Sequence, residues 1–121
     1  MYTVARFISD FETLEEVREI VCSKFGEASC SKVSKSHFAC NVSFESSWEK
    51  HQLEITQFIS SLEDILSASA IRQLCSNVEI GFDIAIECED YENRLYFPLG
   101  FSKDFLRKIV NSDFTLELTY Y

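Results

Sequence analysis

Carboxylates are the abundant reactive group in this chain, and their densest row runs through Val78–Cys88. Glu79, Asp83 and Glu87 recur there at four-residue intervals, and Glu89, Asp90 and Glu92 follow before the next base, Arg94. Apolar residues hold the even positions of the same stretch: Val78, Ile80, Phe82, Ile84, Ile86 and Cys88. Period-two alternation predicts a β-strand with one dry face and one wet, acidic face. Carboxylate oxygens suit divalent cations, but residues four apart on a strand lie about 13 Å apart. That is too wide for one shared ion or for an acid–base pair. The row instead predicts contact with several cations spread along a partner's surface, made by Glu79, Asp83, Glu87, Glu89, Asp90 and Glu92. Tyr91, inside the acidic turn, joins them as an anchor with a large contact area and a polar tip.

Other chemistries find less support. The sequence has no G-x-G-x-x-G, P-loop, H-E-x-x-H or G-x-S-x-G motif, and three glycines leave little to cradle a phosphate. No cofactor or metal is expected, and no enzymatic activity. His37 and Cys40 share a predicted strand, but their odd spacing sends them to opposite faces, with Cys40 buried and inert. His51 has polar neighbours near the start of a predicted helix and is expected to be a solvated surface residue. Trp48 suits core packing at least as well as an interface. Cys22, Cys30, Cys40, Cys75 and Cys88 are odd in number and contain no C-x-x-C pair, so free thiols in a reducing cytoplasm are expected.

Composition narrows the class of partner. Twenty acidic against eleven basic residues give a formal net charge of -9, a field that repels phosphate backbones and attracts basic proteins. Nucleic acid is therefore disfavoured as a partner. No stretch approaches the roughly 20 apolar residues of a membrane span, and no signal peptide is visible in Met1–Phe7. A cytoplasmic protein is expected. With 121 residues, 46% of them hydrophobic, the chain has enough apolar surface for one core, so residues 1–121 are read as a single globular domain.

The elements that must position the acidic row follow from periodicity. Thr3–Ile8 reads as a first strand. Thr13 and Glu16 have capping-box spacing ahead of a helix whose buried stripe is Leu14, Val17, Val21 and Phe25, stopped by Gly26. His37–Glu45 alternates as a second strand with Phe38, Cys40, Val42 and Phe44 on one face. Ser46 and Glu49 again have capping-box spacing, and a long helix follows with Ile55, Phe58, Ile59, Leu62, Ile65 and Leu66 as its stripe, pausing at Ser67–Ser69 before a short helical segment. After the acidic strand, Arg94–Phe97 is expected to pair back as a short strand. Ser102 caps a further helix with Phe105, Leu106, Ile109 and Val110 buried, and Phe114–Tyr120 closes the chain as a strand. The order β-α-β-α-β-β-α-β predicts an α+β fold, a single four- or five-stranded sheet with about three amphipathic helices on one face.

The C-terminal third resembles a family of small bacterial α/β domains of unknown function. The resemblance is carried by Val78–Ile84, by Leu99-Gly100-Phe101-Ser102-Lys103-Asp104-Phe105-Leu106, and by Asp113–Leu118, together with Trp48 and the long helix after it. Such domains often look like immunity proteins encoded beside polymorphic or contact-dependent toxins. The resemblance implies a binding role with no catalytic residues to carry over; together with the acidic charge, the expectation is a cytosolic immunity protein that binds and neutralises a cationic toxin domain, a nuclease being the natural target. The alternative expectation is a small-ligand or regulatory binding domain whose pocket lies between helices and sheet, with the acidic surface serving solubility.

Overall fold

The structure, a computed structural model, describes residues 1–86 and 100–120. Within them the chain runs β1 (Tyr2–Ile8), α1 (Phe11–Phe25), β2 (His37–Ser43), α2 (Trp48–Leu66), α3 (Ser69–Leu74), β3 (Glu79–Ile86), α4 (Lys103–Asn111) and β4 (Thr115–Tyr120), with single 3-10 turns at Glu27–Ser29 and Cys75–Asn77. The four strands form one mixed sheet in the order β2-β1-β3-β4. β1 is antiparallel to both its neighbours, whereas β3 and β4 are parallel. This is the expected α+β class, with four helices in place of about three. The strand expected over Arg94–Phe97 lies outside the described residues.

Local chemistry explains where the elements begin and end, and corrects several expectations. The cap of α1 is Asp10 and not Thr13: the Asp10 carboxylate accepts from the Thr13 amide at 2.9 Å and from its hydroxyl at 2.7 Å. An aspartate three residues upstream outcompetes the capping box because it reaches two donors of one residue at once. Those two bonds hold the Asp10 carboxyl below its ordinary range. Gly26 ends the helix as expected, at a φ of 97° that favours glycine, with its amide donating to the Cys22 carbonyl at 2.8 Å. α2 is preceded by Ser47 rather than capped by Ser46, and Ser47 makes no side-chain cap. Instead the Glu45 carboxylate accepts from the Ser46 amide at 3.2 Å. Ser102 caps α4 as expected, accepting from the Phe105 amide at 3.1 Å.

The helices bury their apolar stripes against one face of the sheet. That core joins Ala5 and Phe7 of β1, Phe38 and Cys40 of β2, and Ile80, Phe82, Ile84 and Ile86 of β3 to Leu14, Val17 and Val21 of α1, Ile55, Phe58, Ile59 and Leu62 of α2, and Phe105 and Ile109 of α4. Phe7 stacks on Phe38 with centroids 4.5 Å apart, and Phe82 meets Phe58 edge-on at 6.0 Å. Phe25, Val42, Ile65, Leu66 and Val78 pack against it only partly buried, and Leu106, Val110 and Phe44 are exposed. For Leu106 and Val110 of α4 the reason is that a nine-residue helix on the sheet's rim buries only the narrow stripe of Phe105 and Ile109. Phe44 is 67% exposed. Its displacement comes from a β-bulge: Thr3 pairs with Ser43 but Val4 pairs with Asn41, so Val42 is an extra residue on β2. Beyond it the alternation is out of phase, turning Ser43 inward and Phe44 outward.

Candidate functional site

The face of the sheet opposite the helices is lined by Val4, Arg6 and Ile8 of β1, His37, Ala39 and Asn41 of β2, Glu79, Gly81 and Asp83 of β3, and Thr115, Glu117 and Thr119 of β4. Among the described residues no helix covers it, and Arg6, Ile8, His37, Asn41, Glu79, Thr115, Glu117 and Thr119 are exposed. Of the predicted acidic row, Glu79 and Asp83 stand on this face, and Glu117, in register with Asp83, stands there with them. Glu45 does not, since it follows the bulge and turns its carboxylate to the α2 approach. Glu87, Glu89, Asp90, Tyr91 and Glu92 lie outside the described residues.

Asp83 is not the free carboxylate the alternation predicted. It is only 9% exposed. Arg6 donates to its Oδ2 at 2.8 Å and the Thr119 hydroxyl to its Oδ1 at 2.9 Å, so both oxygens are engaged from the neighbouring strands. The period of two places Asp83 on the outer face correctly; what it cannot foresee is which bases the pairing order brings alongside. Arg6 comes from a strand 77 residues away in sequence. Asp83 is thus a tie across three strands, and among the described residues the exposed carboxylates of this face are Glu79 and Glu117.

Between them the sheet surface dips. Arg6, Ile8, Glu79, Gly81, Asp83, Thr115 and Glu117 line a depression of about 130 Å³. Gly81 is what makes it possible: a Cβ at that position would stand 2.2 Å from the Thr115 hydroxyl oxygen, which folds over the bare backbone from β4. Close approach of a neighbouring side chain is a use of glycine within strands.

A second polar cluster escaped sequence analysis. His51, expected at the surface, has no exposed area at all, and Thr3 and Ser43 are equally enclosed. Its Nδ1 lies 2.9 Å from the Glu45 carbonyl, which can only accept, so Nδ1 carries the proton. The Ser43 hydroxyl is 3.0 Å from the same nitrogen and donates its own hydrogen to Glu54. Nε2 is left as an acceptor, and Thr3 donates to it at 2.5 Å. Every hydrogen has a place, and among the described residues no buried side-chain polar atom is left unpartnered. Ser43, His51 and Glu54 have the residue types of a hydrolytic triad but not its connectivity, since the imidazole lone pair points at Thr3 and away from the serine. Burial holds the His51 imidazole below its usual pKa. The network pins the start of α2 to β1 and to the bulge of β2. The signal that would have found it is the bulge itself, which alternation alone does not reveal.

Trp48 is a packing residue with one polar tie. Its Nε1 donates to the Gly100 carbonyl at 2.7 Å, and its ring packs on His51, Phe101 and Phe105. At the far end of the same helix pair, Glu63 accepts from Lys108 at 3.0 Å and from Ser112 at 2.5 Å, which lowers its pKa, the serine contributing most.

Among the described residues no group of three histidine, cysteine, aspartate or glutamate side chains is placed to hold a metal ion. Among them, too, no helix is long and apolar enough to cross a membrane. No family model, no curated protein and no solved structure matches the chain. A functional conclusion must therefore rest on its own fold and surface.

Proposed function

We propose that this chain is a protein-binding domain that docks a basic partner on the open face of its sheet, and that the partner is a cationic toxin domain, a nuclease above all, which it neutralises as an immunity protein. The observation that carries the reading is that, among the described residues, helices cover one side of the sheet only, with Glu79 and Glu117 exposed near the Arg6–Asp83 pair on the other. A nuclease is basic where it holds phosphates, so an acidic face competes for that groove and speeds encounter through long-range attraction. The net charge of -9 adds to the same field. Titration calorimetry at low salt with the product of the neighbouring reading frame tests the proposal; binding heat that shrinks as salt rises is expected, and the absence of any complex at low salt overturns it.

The small-ligand alternative has less room. Between α1, α2 and the sheet, the space lined by Phe7, Val17, Val21, Leu62 and Ile80 is about 10 Å³, no more than one water needs. The larger spaces are open clefts, among them one of about 770 Å³ where Glu63, Arg72, Cys75, Asn111 and Phe114 converge. Glu79 borders that cleft as well as the sheet face, so charge reversal at Glu117 alone, set against substitution of Arg72, separates the two readings.

A further inference from the structure

Three thiols from separate parts of the sequence meet at the outer edge of β2. Cys22 sits on the last turn of α1, Cys40 is in the strand, and Cys30 lies in the connection that crosses beside it. Cys30 and Cys40 face each other as an antiparallel bridge, with their sulfurs 3.4 Å apart. The Ser31 amide donates to the Ala39 carbonyl at 2.8 Å, one residue further along each chain. That bond makes Cys30 and Cys40 a non-hydrogen-bonded pair, whose Cα atoms approach to about 4.5 Å. Such a separation lies within the range that a disulfide spans, about 4.4–6.8 Å. The segment is also held from outside: Arg18 donates to the Ser31 carbonyl and to Glu27, each at 2.6 Å, and the Ala39 amide donates to the Ser31 hydroxyl at 2.9 Å.

We propose that Cys30 and Cys40 are an oxidative modification site, a dithiol that a low-molecular-weight disulfide converts into a cross-strand disulfide clamping the residue 27–36 connection onto edge strand β2. Cys30 is half-buried and Cys40 fully enclosed, so the reagent meets Cys30 first. The Cys30 thiol loses its proton to solvent, and its sulfur attacks one sulfur of the reagent. This forms a mixed disulfide and expels one thiolate, which takes up a proton. The Cys40 sulfur, losing its proton in turn, attacks Cys30 and expels the second thiolate. Two protein thiols are oxidised by two electrons and one disulfide is reduced to two thiols.

The charged and titratable neighbours are Arg18 and Cys22 of α1 and Glu27 of the connection. Burial outweighs the help of Arg18 and pushes Cys30 up to about 11 and Cys22 up to about 12. The thiolate fraction is therefore small at neutral pH, and the first step should quicken about tenfold for each pH unit of rise. The site answers sustained oxidation and not a brief pulse.

Trypsin sites at Arg18, Lys24, Lys32, Lys35 and Lys50 place Cys22, Cys30 and Cys40 on three different peptides, spanning 19–24, 25–32 and 36–50. The folded full-length chain is incubated with glutathione disulfide at mildly alkaline pH, alkylated, digested and weighed by mass spectrometry. The expected product is peptide 25–32 joined to peptide 36–50, released by reductant, with a melting temperature several degrees above that of the reduced protein. Cys22→Ala should keep the link and Cys30→Ser should lose it. A link to peptide 19–24 instead, a glutathione adduct that persists on Cys30, or no reaction at either thiol while the urea-unfolded chain reacts would each overturn the proposal.

Discussion

His51 and Asp83 are both polar residues enclosed by the fold, and each is tested by a different substitution. His51 is neutral in the folded state, with its pKa lowered mainly by burial, whereas in the unfolded chain it takes a proton near its ordinary value of about 6.5. Below that value the unfolded state binds the extra proton, so stability should fall as pH drops from about 6.5 toward the lowered folded pKa. The slope approaches at most about 1.4 kcal/mol per pH unit for one proton. Chemical denaturation of wild type and of His51→Asn between these limits checks this: the slope should be present in the first and missing from the second. Asp83 is tied on both oxygens, to Arg6 and to Thr119. Asp83→Lys sets two cations side by side and strands the Thr119 hydroxyl. It should cost about 1–3 kcal/mol, a figure held down because Arg6 is half-exposed to screening solvent. Glu79→Lys and Glu117→Lys, on exposed positions, should each stay within about 0.5 kcal/mol.

Strand β3 works as an element because two neighbours have been shaped to it. On its outer face Gly81 admits the Thr115 side chain, and Gly81→Ala would force a Cβ to 2.2 Å from the Thr115 oxygen. Overpacking of this kind should cost about 1–3 kcal/mol. Adding Thr115→Ala removes the clashing hydroxyl and should recover most of the loss, a coupling that a double-mutant cycle of urea melts reads directly. On the inner face Phe82, 1% exposed, touches both Phe58 and Phe114. Phe82→Ala should therefore cost about 3–5 kcal/mol in the same melts, with the loss falling on the whole domain.

At the scale of the molecule the two sheet faces differ: one packs against the helices, and on the other, among the described residues, Glu79 and Glu117 are exposed, which is where the proposed partner would dock. Reversing Glu79 and Glu117 to lysine changes the formal net charge from -9 to -5, since each substitution adds two charges. The variant should melt like wild type and associate with a basic partner more slowly, with the difference narrowing as salt rises toward about 1 M, where the screening length is about 3 Å. Stopped-flow association measured across a salt series checks this. Equal rates for the two proteins at low salt would remove the open face from the interaction.

What the sequence determined by itself is what short-range periodicity and capping chemistry can encode. The alternation in Val78–Cys88 places Ile80, Phe82, Ile84 and Ile86 inside and Glu79 outside without reference to any other part of the chain. The three-and-four spacing of Ile55, Phe58, Ile59 and Leu62, the stop at Gly26 and the cap at Ser102 are equally local. Tertiary structure decided whatever depends on which strands become neighbours. Arg6 reaches Asp83 only because β1 lies beside β3 in the sheet, and that pairing turns an expected contact residue into a structural tie. The extra residue at Val42 reverses the phase of β2, so that Ser43 enters the interior and Phe44 leaves it. His51 is buried for the same reason, because the bulge and β1 bring Ser43 and Thr3 to its two nitrogens. Period and cap are properties of a few consecutive residues; register and strand order are properties of contacts between residues far apart in the chain.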